Sequence, residues 1–375
     1  MTSTSNDPPG KERRSRYQGC LLAGAVGDAL GAPIEMMSLS KIRKEFGESG
    51  ITDLAPAYGR IGSITDDTQM TLFTAEGLLR AAARFIDRGI CNPLMVIRRS
   101  YLRWLITQGQ EPPKVMSMPL DPKSSWLFNI EELHAIRLPG TTCLNALMEP
   151  EENLDHQSFG AKNSSKGCGG VMRAAPVGLM FANSDLVTDG QIENSVERDF
   201  TFAGKVSLLT HGHPLSTQSS GAMAALVHLL VMGKSFLEAL SIVKDLLVRD
   251  ENGVVVWSLL ERGIDLAASD RSPTESIKRL GEGWVAEEAL AIAVYACCRG
   301  ASLKDALLIA VNHDGDSDST GSIAGNLMGA WCGVEAIPPQ WLEKLELREV
   351  IREVANDLFD YRHWTDEKWS RYPPY

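Results

Sequence analysis

Apolar residues recur three and four positions apart in five stretches of the chain, 68–83, 219–248, 286–298, 303–311 and 319–332. That spacing keeps them on one face of a helix, so each stretch predicts a helix laid against a core. Alternating apolar and polar positions are scarce, and the short run 254–257 suits a strand or a helix equally. The pattern as a whole predicts an all-α fold. Within 319–332 a second pattern is overlaid: Gly321, Gly325 and Gly329 recur every fourth position, and Gly333 continues the row. Interior glycine costs a helix about 1 kcal/mol relative to alanine. The row therefore predicts a close backbone approach by another element, and the stretch 19–31, with Gly19, Ala23, Gly24, Gly27 and Gly31, is the candidate partner.

Elsewhere the pattern lapses. Residues 1–15 are rich in Ser, Asn, Pro and charge and predict a flexible tail ahead of a folded stretch, 16–375, whose length admits one domain or two. Between 107 and 166, Pro112, Pro113, Pro119, Pro122, Pro139 and Pro150 exclude long helices and predict loops bordering a site. A 375-residue chain that is 44% hydrophobic can bury a large core. Its net charge of −11 argues against a nucleic-acid partner. No apolar run approaches the roughly 18–20 residues of a membrane span, and the N-terminus lacks a signal-peptide core. Seven cysteines without a CxxC pair predict reduced thiols and a cytoplasmic protein.

Two acidic clusters carry the candidate chemistry. The first, Thr65-Asp66-Asp67-Thr68, opens the helix at 68–83, where a hydroxyl cap and first-turn carboxylates would serve the helix terminus. In the second, Asn312-His313-Asp314-Gly315-Asp316-Ser317-Asp318-Ser319, three carboxylates alternate with no Lys or Arg among them, a crowding that calls for water or a shared cation. Oxygen donors select a hard ion such as Mg²⁺ or Mn²⁺ over zinc. An EF-hand fails, because Ser319 stands where its turn glycine belongs and Gly325 where its bidentate Glu belongs. Together Thr65, Asp66, Asp67, Asp316, Asp318 and Ser319 could hold a pair of metals.

Other features are weaker alone. Gly167-Cys168-Gly169-Gly170 offers backbone amides to a diphosphate, but Met172 stands where a dinucleotide fingerprint needs its last glycine. Cys168 has no neighbouring base that would make it a nucleophile. Asp28, Glu35 and His211 are each accounted for by capping, surface exposure or packing when read singly.

Taken in order and spacing, Gly24-x-x-Gly27-Asp28-Ala29-Leu30-Gly31-x-x-x-Glu35, Thr65-Asp66-Asp67-Thr68, Gly167-x-Gly169-Gly170-x-Met172-Arg173-x-Ala175-Pro176 and Gly315-Asp316-Ser317-Asp318-Ser319 resemble the ADP-ribosylglycohydrolase family, over about 19–333. The resemblance implies a single compact helical domain with a binuclear Mg²⁺ or Mn²⁺ cleft that binds ADP-ribose. Thr65, Asp66, Asp67, Asp316, Asp318 and Ser319 then become metal ligands, and Asp67 and Glu35 the candidate catalytic carboxylates. Gly167, Gly169 and Gly170 become phosphate contacts and His211 a further substrate contact. Many members carry Thr where Ser319 stands, and Lys166 departs from the small or amide residue common there. The Asp-Ser-Asp-Ser-Thr-Gly form resembles the arginine-directed branch, implying cleavage of ADP-ribosyl-arginine on a protein substrate. The rival readings are an O-linked or small-molecule ADP-ribosyl substrate, and immunity against an ADP-ribosyltransferase toxin by de-modification or binding.

Overall fold

The ends of several helices build the cleft, and the order of elements explains how they meet. The computed structural model describes residues 9–114, 116, 120–154, 159–182 and 189–374. Its helices in chain order are α1 (Pro9–Gly31), α2 (Leu39–Phe46), α3 (Asp66–Arg88), α4 (Pro93–Thr107), α5 (Thr141–Met148), α6 (Ala175–Ala182), α7 (Asp189–Leu208), α8 (Pro214–Val231), α9 (Phe236–Leu247), α10 (Glu251–Ala267), α11 (Pro273–Ile277), α12 (Ala286–Arg299), α13 (Leu303–Val311), α14 (Ser317–Cys332), α15 (Pro339–Lys344), α16 (Arg348–Asp360) and α17 (Asp366–Trp369). The described strands, β1 (Pro56–Ala57) and β2 (Arg60–Ile61), form one small antiparallel hairpin. The fold is all-α, as the periodicity predicts, and a single domain, as the resemblance implies.

The glycine row of α14 lies against α1. A Cβ built on Gly329 would fall 2.0 Å from the Gly19 carbonyl oxygen, one on Gly325 2.0 Å from that of Ala23, and one on Gly321 2.5 Å from that of Gly27. As residue numbers rise along α1 they fall along α14, so the two helices run antiparallel. Asn326 closes the seam by donating to the Cys20 carbonyl at 2.8 Å. The C-terminal end of α1 is thereby laid beside the N-terminal end of α14, where Gly31 leaves no room for a Cβ against the Asp318 backbone (2.3 Å).

Several expectations shift. The helix predicted over 219–248 is two, α8 and α9, because Gly233 takes φ +91° and Ser235 with Glu238 forms a capping box that starts a new helix. The ambiguous 254–257 lies inside α10. The periodicity misses α4 because it buries Arg98, Arg99 and Arg103. Two of these guanidiniums reach carbonyl acceptors, Arg98 on Glu149 at 2.9 Å and Arg103 on Asp121 at 3.3 Å, so positions that read as polar are interior. The boundary of the expected tail also moves, since α1 already begins at Pro9. Arg14 forms a bidentate pair with Asp360 at 2.7 Å and lies over the Phe359 ring, which ties a polar segment to α16. Residues 1–8 of that expected tail lie outside the described residues. The aromatic C-terminus folds back: Trp364 stacks on Tyr372, whose hydroxyl donates to Asp357 at 2.8 Å. All seven cysteines are free. Among the described residues no helix is long and apolar enough to cross a membrane.

Candidate active site

The buried carboxylate of Asp28, near the end of α1, organises the first acidic cluster. It accepts the Thr65 N–H at 3.0 Å on each oxygen, the Thr68 N–H at 3.1 Å and the Thr68 hydroxyl at 2.5 Å. These are amides that a helix start leaves without intrahelical partners, so α1 caps α3 from outside. Thr65 also caps α3, accepting the Asp67 N–H at 3.3 Å, and its side chain hydrogen-bonds Asp318. From the other flank, buried Glu346 accepts the Ile64 N–H at 3.1 Å and pairs with Arg137, which donates to the Ile64 carbonyl at 2.6 Å. Asp28→Asn keeps the volume but weakens this acceptor set. We expect it to lower the free energy of unfolding by about 2 kcal/mol, seen as a lower urea midpoint at unchanged m-value. A variant as stable as the parent would mean that α3 is held elsewhere.

The second cluster starts α14. Asp316 is its N-cap and accepts the Ser319 N–H at 3.3 Å, while Asp318 accepts the same N–H at 3.0 Å. The preceding turn needs Gly315, whose φ of +123° and position against the Glu282 carbonyl leave no space for a side chain. His313 holds the turn by hydrogen-bonding Thr320 at 2.8 Å. Asp314 faces away and accepts the Leu39 N–H at 2.8 Å.

These ends open into a cleft of about 430 Å³ lined by Glu35, Asp66, Asp67, Gly167, Cys168, Gly169, His211, Trp284, Asp316, Asp318 and Ser319, with Met36, Leu138–Cys143 and Met172 completing the wall. Among the described residues no Lys or Arg lines it. Burial, then the Asp318 charge, pushes Asp66, Asp67 and Asp316 well above the usual carboxylate range. The same two causes raise Glu35 to about 10 and Asp28 to about 7. Asp67 Oδ1 and Glu35 Oε2 are buried with no hydrogen-bond partner. A cluster of desolvated, mutually repelling carboxylates is stabilised by protonation or by bound cations.

The glycine-rich segment forms the opposite wall. It turns through a short 3-10 helix at Cys168–Gly170 and is fixed to the start of α12: Cys168 N–H donates to the Trp284 carbonyl at 3.2 Å and Ala286 N–H to that of Lys166 at 2.8 Å. Lys166 pairs with Glu287 on α12 and is absent from the cleft lining. His211 lies behind Gly167 and Gly169, where a Cβ would meet its ring at 3.2 and 2.9 Å. Burial, then Arg173, lowers His211 to about 3, so it is neutral at physiological pH. Its Nδ1 is engaged by the Thr210 hydroxyl at 2.8 Å. The Cys168 thiol donates to Asp316 Oδ2 at 2.8 Å, and burial, then the Asp316 charge, raises its pKa well above the ordinary value. A protonated thiol is a poor nucleophile.

Of the residues singled out by sequence, the cleft thus gathers Glu35, Asp66, Asp67, Gly167, Gly169, His211, Asp316, Asp318 and Ser319. Thr65 sits directly behind, fully buried. Gly170 is not brought to the lining; a Cβ there would point at Ser207 and Ser216 of the α7–α8 layer. Sequence reasoning left Asp28 as a local cap and did not identify Trp284, Leu138 or Cys143, for which no motif signals a site. Among the described residues no three His, Cys, Asp or Glu side chains close a ready-made metal cage. The residues that could hold divalent ions are crowded carboxylate and hydroxyl oxygens, the donors a hard cation takes, while the Cys168 thiol beside Asp316 stays protonated.

Comparison with known proteins follows the same lines. The family model described as ADP-ribosylglycohydrolase matches residues 9–367. The chain is 26% identical over 354 residues to the ADP-ribosylarginine hydrolase Tri1 of Serratia proteamaculans, covering 94% of this chain and 81% of the relative. It is 26% identical over 356 residues to the ADP-ribosyl-[dinitrogen reductase] glycohydrolase of Rhodospirillum rubrum, covering 92% and 96%. A solved structure titled ADP-ribosylglycohydrolase-related protein complex superposes with a TM-score of 0.60 at 24% identity, over 93% of this chain and 98% of that one, a likeness of fold.

Proposed function

The chain belongs to the ADP-ribosylglycohydrolase family, and from that premise we propose that it hydrolyses the N-glycosidic bond joining ADP-ribose to arginine on modified proteins, with the help of two Mg²⁺ or Mn²⁺ ions. The observation that carries this reading is the convergence of Glu35, Asp66, Asp67, Asp316 and Asp318 in one cleft that no lysine or arginine among the described residues lines. The arginine linkage draws support from relatives named ADP-ribosylarginine hydrolase.

Thr65, Asp66, Asp67, Asp316, Asp318 and Ser319 would hold the ions, which when bound supply Lewis acidity toward the ribose hydroxyls. The rest falls to the chain. Gly167 and Gly169, free of side chains, line the cleft and let a diphosphate approach the main chain. Neutral His211 has its Nδ1 committed to Thr210, which leaves Nε2 for a hydrogen bond to substrate without attracting or repelling its charge. Cleavage of the anomeric C–N bond needs a proton for the departing guanidine and a base for the attacking water. Glu35 Oε2, buried and unpartnered, is the atom suited to carry the first; Asp67 Oδ1, also unpartnered, suits the second.

The test is release of free ADP-ribose from arginine-modified and serine-modified protein, with Mg²⁺, with Mn²⁺ and with chelator. We expect metal-dependent release from the arginine linkage at least about tenfold faster than from serine, a transition-state difference of ~1.4 kcal/mol. Equal rates with chelator would remove the metals from the reading, and preference for serine would move the substrate to the O-linked class.

A further inference from the structure

Around the mouth of the cleft three large apolar side chains are held in a backbone conformation that L-residues avoid. Met36 has φ +63°, Tyr58 φ +51° and Leu138 φ +48°. They are 65%, 42% and 54% exposed. Left-handed backbone is unfavourable for a bulky L-residue, and such outliers concentrate where function requires them. A single exposed apolar residue needs no explanation, but two of these, from different segments, line one opening, and the third stands over Arg137 beside it. Met36 and Leu138 line it. Tyr58 lies over Arg137, next to Leu138, with the guanidinium 5.5 Å from its ring centre. The hairpin carrying Tyr58 is tied to the segment before Thr65 by the Ser63 hydroxyl, which donates to the Ala57 carbonyl at 2.7 Å. Tyr58 and Gly59 (φ +85°) are the central pair of a two-residue turn with positive φ at both positions, where Asn-Gly is the favoured sequence. Tyrosine there works against the turn.

We propose that Met36, Tyr58 and Leu138 form a docking rim for the polypeptide that carries the modified arginine, so that the protein-borne substrate is favoured over the free ADP-ribosyl amino acid. This rests on the arginine-directed reading given above. The rim is continuous with the cleft at Glu35 and Asp66: Leu138 leads through Pro139 to Gly140, whose N–H donates to Asp66 at 3.2 Å. The occupant is specified by complementarity. Glu35, the one lining carboxylate outside the proposed metal set, stands where the guanidine would leave, and apolar surface at the mouth suits the neighbouring residues of the chain from which it projects. Aromatic and methionine side chains are enriched in such contact surfaces.

The experiment compares KM and kcat on ADP-ribosylated protein and on free ADP-ribosyl-arginine for the parent, Tyr58→Asn and Leu138→Asn. Asparagine tolerates the left-handed region, so folding is safeguarded and the melting temperature should hold or rise. For Tyr58→Asn we expect KM on the modified protein to increase about tenfold at unchanged kcat, a loss of ~1.4 kcal/mol of binding, while KM on the free conjugate moves less than about twofold. Leu138→Asn should raise KM on the protein in the same sense. An equal change on both substrates, or none on either, overturns the proposal. A shift in sedimentation with both substrates unaffected would assign the rim to a second copy of this chain and also overturns it. Should the parent release nothing from arginine linkages, the arginine reading fails by itself. Calorimetric affinity for the modified protein against free ADP-ribose then decides the rim: weakening by Tyr58→Asn on the protein alone supports it, and unchanged affinity rejects it.

Discussion

Asp67→Asn is expected to lower kcat/KM by about a thousandfold, ~4 kcal/mol of transition-state stabilisation, while leaving the metal-free protein at least as stable as the parent. The two halves of this result have one cause. Asp67 is 3% exposed, and its Oδ1 has no hydrogen-bond partner. Desolvation and then the charges of Asp318, Asp66, Asp28 and Asp316 oppose its ionisation. The carboxylate is thus a cost to the fold, and removing its charge relieves repulsion. Helix capping, the structural role that the sequence allows, is already filled by Thr65, which accepts the Asp67 N–H and is untouched by the substitution. If capping were the whole purpose of the cluster, Asp67→Asn would cost a few tenths of a kcal/mol and leave turnover near normal. Thermal unfolding in chelator beside steady-state hydrolysis separates the two. Full turnover with Asp67→Asn would remove this residue from the chemistry, and a large drop in melting temperature would make it structural.

Helix periodicity was legible wherever a helix buries apolar side chains on one face, as in α3, α12, α13 and α14. It failed where polar groups go inside. In α4 buried Arg103 and Arg98 each reach a carbonyl from a segment about 20 to 50 residues away, Asp121 and Glu149. Nothing local in the sequence encodes that. The carboxylates of the cleft were legible for the opposite reason: like charges packed at alternate positions are unfavourable enough to signal a purpose. Asp28 shows the limit. Its value lies in Thr65 and Thr68, about 40 positions on, and a lone Asp after a glycine reads as a turn cap. Met36, Tyr58 and Leu138 escaped because a positive φ at a non-glycine residue leaves no trace in composition or spacing.

The seam between α1 and α14 was visible as a pattern in α14, and it yields the largest expected effect on stability. In an ordinary exposed helix Gly→Ala stabilises by up to about 1 kcal/mol. At Gly325 the sign should reverse: the new methyl would lie 2.0 Å from the Ala23 carbonyl oxygen and 2.5 Å from its carbon, both backbone atoms that no rotamer change can move. Overpacking of this kind costs about 1–3 kcal/mol for small additions; we expect ~3 kcal/mol for Gly325→Ala and failure to fold for Gly325→Val. Gly10→Ala, on α1 with nothing within 4 Å of the added methyl, is the control and should be neutral or slightly stabilising. The seam also sets the register of Asp28 and Gly31 against Asp318. Folded Gly325→Ala should therefore lose activity beyond its loss of folded fraction, because displacement by about 1 Å at a catalytic site costs on the order of a hundredfold. Urea unfolding gives the first quantity, and hydrolysis normalised to folded protein the second. If Gly325→Ala unfolds no earlier than Gly10→Ala, the two backbones are not in contact at Ala23. The acidic ends would then owe their alignment to Asp28 and the Arg137–Glu346 pair alone.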